Sequence, residues 1–135
     1  MFLPLRLSPG DDLRGALEAH AAQAGAAFVV SGIGSLGSAC LRLAGAEREA
    51  VLEGPLEILS LAGSLSADGA HLHMAVSDAQ GRVTGGHVGR GCVIRTTAEL
   101  LLAPLAGWQL TREFDAATGY PELVIKPQSD SPTVS

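Results

Sequence analysis

The spacing of hydrophobic positions changes period once along this chain. Residues 2–7 are mostly apolar and read as a strand, closed by Ser8, Pro9 and Gly10. Leu13, Ala16, Leu17, His20, Ala21 and Ala24 then recur at helical spacing and form one stripe. Asp11 and Asp12 supply acceptors for the free N–H groups of that helix start, and Gly25 suits its end. Beyond Gly25 the period falls to two. Strands are predicted at 28–31, 39–43, 49–52, 56–65, 71–77, 82–84, 91–102, 108–114 and 122–125. Residues 32–35 read as a turn or irregular link, and 67–69 and 78–81 as hairpin turns. A doubly wound parallel sheet needs a helix after nearly every strand, and these links are too short. The fold class is therefore α+β, a mostly antiparallel β-sheet with one main helix.

Length makes this one domain, residues 1–126, followed by a polar, Pro- and Ser-containing stretch, 127–135, that reads as a flexible C-terminal tail. A chain of 135 residues buries roughly two-thirds of its unfolded surface, so its core needs neither a disulfide nor a metal. The longest apolar stretch, 100–110, is broken by Pro104 and Gly107 and falls short of the roughly 20 residues of a spanning helix, so no membrane association is expected. The first ten residues lack the basic and apolar regions of a signal peptide. Nine basic residues are scattered among fourteen acidic ones for a net charge of −5. That balance argues against direct DNA binding, which draws on a basic face. Cys40 and Cys92 lie in apolar segments without a Cys-x-x-Cys spacing, as buried thiols of a reducing cytoplasm do.

Gly32, Gly34 and Gly37 match the Gly-x-Gly-x-x-Gly pattern of dinucleotide sites. That chemistry needs a helix to open at the glycines, and residues 38–43 alternate like a strand instead. The glycines read as a tight link with unusual backbone angles. The histidines are more informative. His71 and His73, two apart on a strand, present their rings on one face. The turn at 78–81 folds His87 back towards them, and Gly85 and Gly86 permit close approach. Three imidazoles suit a divalent metal with one position left open. Two histidines on a solvated strand face need no metal, however, so spacing alone leaves both readings standing. Glu57, predicted to share a face with Leu59 and Leu61, is a candidate general acid or base if partly buried. Arg95 shares a face with Glu99 and is a candidate anion anchor. There is no Gly-x-Ser-x-Gly elbow, and neither cysteine has a base beside it in sequence, so nothing supports covalent catalysis.

Taken in order, the motifs resemble the PPC ("plants and prokaryotes conserved") domain in its single-domain prokaryotic form. Arg6-Leu7, Pro9 to Leu13, Ser31 to Ser35 and Glu53 to Ser64 carry the resemblance. So do His71-Leu72-His73, Gly81, Gly85-Gly86-His87, Gly91, Ala98-Glu99, Arg112 to Asp115 and Thr118 to Tyr120. It covers about residues 3–126. The resemblance implies a homotrimer with a predominantly antiparallel sheet. It also implies a divalent metal, zinc, on the three histidines that match His71, His73 and His87. In plants the domain is joined to AT-hooks, Arg-Gly-Arg-Pro segments that enter the minor groove, and this sequence contains none. The architecture is also related to acetolactate decarboxylase, whose zinc sits on a His-x-His pair and a later histidine; that is an analogy of fold and transfers no reaction. The resulting expectation is a trimeric, metal-binding assembly or regulatory module with a protein partner or a small-molecule ligand at the metal. The alternative is a small zinc enzyme, of lyase or hydrolase type, using Glu57 and Arg95.

Overall fold

The computed structural model describes residues 1–129. Eight strands and one helix follow in the order β1 (Leu3–Leu7), α1 (Leu13–Ala24), β2 (Ala27–Arg42), β3 (Ala50–Ser66), β4 (Gly69–Ser77), β5 (Val83–Val88), β6 (Val93–Pro104), β7 (Trp108–Asp115) and β8 (Tyr120–Pro127). The first six strands form one sheet in the order β1-β6-β2-β3-β4-β5, and β7 and β8 form a separate ribbon. Every pairing of these strands is antiparallel. This is the α+β, mostly antiparallel class that the hydrophobic pattern predicts.

The helix packs on one face of the sheet. Leu13, Leu17 and Ala21, four residues apart, are its buried stripe. They meet Val29, Leu36, Leu41, Leu61, Leu72, Ile94 and Leu102 in a single core. Asp12 fixes the start of α1. One carboxylate oxygen accepts from the Gly15 N–H at 2.8 Å, and the other accepts from the Gly91 N–H at 2.7 Å, tying the helix to the entry of β6. Gly25 ends the helix at a positive φ of 82°, which glycine adopts readily, and its N–H donates to the Ala21 carbonyl. Cys92 is fully buried in the core and Cys40 half-buried beside it. Burial pushes the Cys92 thiol up to about 11, so it stays protonated and unreactive.

Two predicted breaks are absent. Residues 32–35 are the middle of the 16-residue strand β2, and the strands expected at 28–31 and 39–43 are its two ends. The glycines there hold extended backbone and serve close packing. A Cβ on Gly34 would lie 2.6 Å from the Thr97 carbonyl oxygen and 2.7 Å from the Ala98 Cα, and one on Gly32 would lie 2.6 Å from a Leu100 methyl. Small size, not backbone freedom, is what the position demands. In the same way, the strands expected at 49–52 and 56–65 are one strand, β3, which runs through a cis Gly54–Pro55 bond. At the other end of the chain, Pro127 is paired with Trp108 in β8, and the Gln128 N–H donates to the Gly107 carbonyl at 2.8 Å. The ordered ribbon thus runs past the expected boundary at 126, and residues 130–135 of the expected tail lie outside the described residues.

The sheet curls enough for the end of β2 to pair with β5, Leu41 opposite Val88 and Arg42 opposite His87. A Cβ on Gly86 would lie 2.7 Å from the Arg42 carbonyl oxygen, so this closure depends on glycine at 86. The β7–β8 ribbon folds back over the β3–β4 turn, where the Arg112 N–H donates to the Asp68 carboxylate at 2.8 Å. These two contacts build the walls of the site.

Candidate metal centre

Alternation on β4 sends Leu72, Met74 and Val76 into the core and leaves His71 and His73 on the opposite face. Asp78 makes the turn that returns the chain. Its carboxylate accepts from the Gln80 and Arg82 N–H groups, each at 2.9 Å, and its own N–H donates to the Arg82 carbonyl. Strand β5 therefore pairs with β4 in a register that places His87 directly opposite His73. The expected strand at 82–84 is longer than predicted and includes His87.

The three rings meet. His73 Nε2 lies 3.2 Å from His87 Nδ1, and one nitrogen from each of His71, His73 and His87 lies within 4.8 Å of the other two. Zinc–nitrogen bonds of about 2.0–2.1 Å in tetrahedral array set donor atoms about 3.3 Å apart. The shortest separation matches that edge, and side-chain rotation of about 1.5 Å at most closes the others. The donor set fits a divalent metal such as zinc, with a fourth position free. Partial burial, then the Arg112 charge, then the neighbouring rings hold His71 below the usual histidine range, with Glu122 opposing. Partial burial, Arg42 and His73 do the same for His87. Both shifts favour the neutral ring, the form that ligates metal.

The surroundings of the rings were not legible in the sequence. A depression of about 530 Å³ is lined by His71 and His87 together with Arg42, Arg112, Tyr120 and Glu122. A neighbouring one shares His71, Arg112 and Glu122 and adds His73 and the apolar Phe28, Ala62 and Leu123. Arg42 arrives through the β2–β5 closure, and Arg112 and Glu122 through the folded-back ribbon. Neither contact has a local sequence signal.

The residues singled out for acid–base and anion-binding roles lie elsewhere. Glu57 and Arg95 do come together, with Ser35 and Glu99, around a separate depression of about 500 Å³ that contains no histidine. Glu57 is opposite Ser77, four residues along β4 from His73, or about 13 Å away. Glu57 is exposed, and the face it was expected to share is split by an irregularity between Ile58 and Ser60 that turns Leu61 into the core while Leu59 stays exposed. Arg95 and Glu99 form no ion pair among the described residues. His20 sits half-buried at the edge of the helix stripe, outside the histidine group, as its position in that stripe predicts.

Known proteins share this arrangement of strands. The chain is 53% identical over 125 residues to the bifunctional protein GlmU of Synechococcus sp. (strain JA-3-3Ab), a match covering 91% of this chain and 20% of that protein. It thus spans about a fifth of the length of the curated relatives it matches. A solved structure of a hypothetical protein from Salmonella enterica superimposes with a TM-score of 0.92 at 40% identity, covering 96% of this chain and 95% of the other. A metal-containing protein from Archaeoglobus fulgidus gives a TM-score of 0.76 at 31% identity, covering 92% and 93%. The family model of the Plants and Prokaryotes Conserved (PCC) domain, the same domain as PPC, matches residues 2–106. By that match and by the shared antiparallel architecture, the chain belongs to the Plants and Prokaryotes Conserved domain family.

Proposed function

We propose that the chain is a trimeric, metal-binding PPC-domain protein, an assembly or regulatory module of the cytoplasm that brings no DNA-binding segment of its own. A divalent metal, zinc, sits on His71, His73 and His87. The meeting of three imidazoles on one face, at separations that suit zinc, carries this reading. A structural relative at 31% identity is named as a metal-containing protein. Trimer formation is supported by the outer sheet face, where Phe28, Val30, Ile33 and Leu59 expose apolar side chains. The role as a module is supported by the recurrence of a very similar sequence as one-fifth of a larger protein. No helix among the described residues is long and apolar enough to cross a membrane. The test is titration of the metal-free chain with Co²⁺, followed by sedimentation and a DNA mobility shift at physiological salt. The reading expects tetrahedral cobalt bands, a trimer and no shift. A DNA shift with a steep salt slope would remove the clause on DNA.

A second reading, a small zinc enzyme, is favoured by the charged depression against the histidines. A zinc there supplies Lewis acidity to a carbonyl or activates water. Glu122, lining the two depressions that contain His71, is positioned to take or give a proton beside the metal, and Arg112 and Arg42 to hold an anion. Glu57 and Arg95 take part only if trimer packing brings their depression to the histidines of a neighbouring copy. Turnover by the zinc-loaded chain that is lost on Glu122→Gln would favour the enzyme over the module.

A further inference from the structure

Four of the nine basic side chains, Arg14, Arg82, Arg90 and Lys126, pair with carboxylates. Arg42 and Arg112 have no carboxylate within ion-pair distance among the described residues, and they are the two that line the depression beside the histidines. Each is anchored opposite one of the rings. Arg42 is the strand partner of His87. A terminal nitrogen of Arg112 donates to the Ser64 hydroxyl at 2.8 Å, and Ser64, itself buried, is the strand partner of His71. The Arg112 backbone N–H is held by Asp68. Arg112 is therefore fixed along its length, with the other donors of its fork left over. A planar, pre-positioned guanidinium with spare N–H groups is matched to a carboxylate.

Charge points the same way. The depression also contains Asp68 and Glu122, so two arginines face two carboxylates. One Asp68 oxygen already accepts from Arg112, and one Glu122 oxygen accepts from the Thr118 hydroxyl at 3.4 Å. Without metal the depression is close to neutral. A divalent cation on the histidines leaves it with a surplus of two positive charges, which a doubly charged anion neutralises.

We propose that this depression binds a small dicarboxylate, one carboxylate reaching the open position of the metal and the other held by Arg112 and Arg42. The inference rests on the metal reading above and adds the class of ligand that the same site takes. Its volume, about 530 Å³, is within the range of small-molecule sites and ample for such a ligand.

The test is calorimetric titration of the intact chain with malonate, with and without Zn²⁺, and with acetate for comparison. The proposal expects malonate to bind the zinc-loaded chain at least tenfold more tightly than acetate, and the metal-free chain at least tenfold more weakly. Arg112→Gln is expected to weaken malonate at least tenfold and to change zinc affinity less than threefold. Arg42→Gln, whose exposed side chain gives up only a 3.4 Å contact with the Ala46 carbonyl, is expected to act in the same direction. Zinc uptake with equal affinity for malonate and acetate would overturn the proposal and leave the metal reading intact. So would malonate binding unchanged in both folded variants. Failure to take up zinc at all would overturn the metal reading, and the proposal with it.

Discussion

His73 and His87 face each other across the β4–β5 pair, with ring nitrogens 3.2 Å apart. One turn between them sets this register: Asp78 holds it closed through the Gln80 and Arg82 N–H groups. Asp78→Ala should loosen the hairpin and lower metal affinity without touching a ligand. Cobalt titration of the variant checks this, and affinity equal to that of the parent chain would show that the strand pairings of β5 with β4 and β2 position it without this turn contact.

Acid should act on the same rings. The folded-state values of His71 and His87 are lowered, so the folded chain binds fewer protons than the unfolded chain below the ordinary histidine value of about 6.5. Stability of the metal-free chain therefore falls as pH drops through that value, and falls no further once the folded rings are protonated too. Protons also compete with metal, so affinity declines in the same direction. Melting curves from pH 7.5 to 5 should show the loss, and a His71→Asn, His87→Asn double variant should reduce it.

Glu18 responds to acid through a stabilised charge instead. Burial raises its carboxyl, but the side-chain hydrogen bonds and charges of Arg14, at 2.6 Å, and Arg90, at 2.8 Å, outweigh it and leave the net value lowered. Its contribution is present above the ordinary carboxylate range and is lost as pH falls through the lowered folded value. Glu18→Gln should cost about 1 kcal/mol or less at pH 7, as partly exposed pairs do, and the difference should shrink towards pH 3. Urea midpoints at the two pH values measure it.

Gly34 should tolerate no side chain. The Cβ of alanine would overlap the Thr97 carbonyl and Ala98, and strand separation or strain of this kind costs about 1–3 kcal/mol. At Gly37 nothing lies within 4 Å of the added Cβ, so Gly37→Ala should stay within about 0.5 kcal/mol of the parent chain. Equal melting temperatures for the two variants would show that the nucleotide-like glycine pattern is not a packing device.

These glycines also mark where the sequence misleads. Gly32 and Gly34 carry the composition of a turn, yet they are small because β6 crosses close to β2, and only the three-dimensional pairing shows that. The histidines are the reverse case. A two-residue spacing on a strand and a hairpin turn are local features, so the amino-acid order by itself groups His71, His73 and His87. It does not group Arg42, Arg112 and Glu122 with them, since the end of β2 and the β7–β8 ribbon reach the rings only through long-range closure. Glu57 and Arg95 drew attention as charges among apolar neighbours, and the sheet brings them to each other on a separate depression.

Assembly is tested on the outer face. Leu59 is half exposed and contributes nothing to the core, so Leu59→Asp should fold. If three copies pack through this face, the parent chain sediments near three times 13.8 kDa, about 41 kDa, and the variant near 13.8 kDa. A parent chain that sediments as a monomer would contradict the trimer.

The central claim is that His71, His73 and His87 hold a metal. Its most direct test is elemental analysis of the chain purified without an affinity tag, beside the His73→Ala variant prepared identically. The parent chain should carry about one zinc per copy, as three histidines with an open fourth position do, and the variant should carry almost none. Equal metal content in the two would contradict the claim.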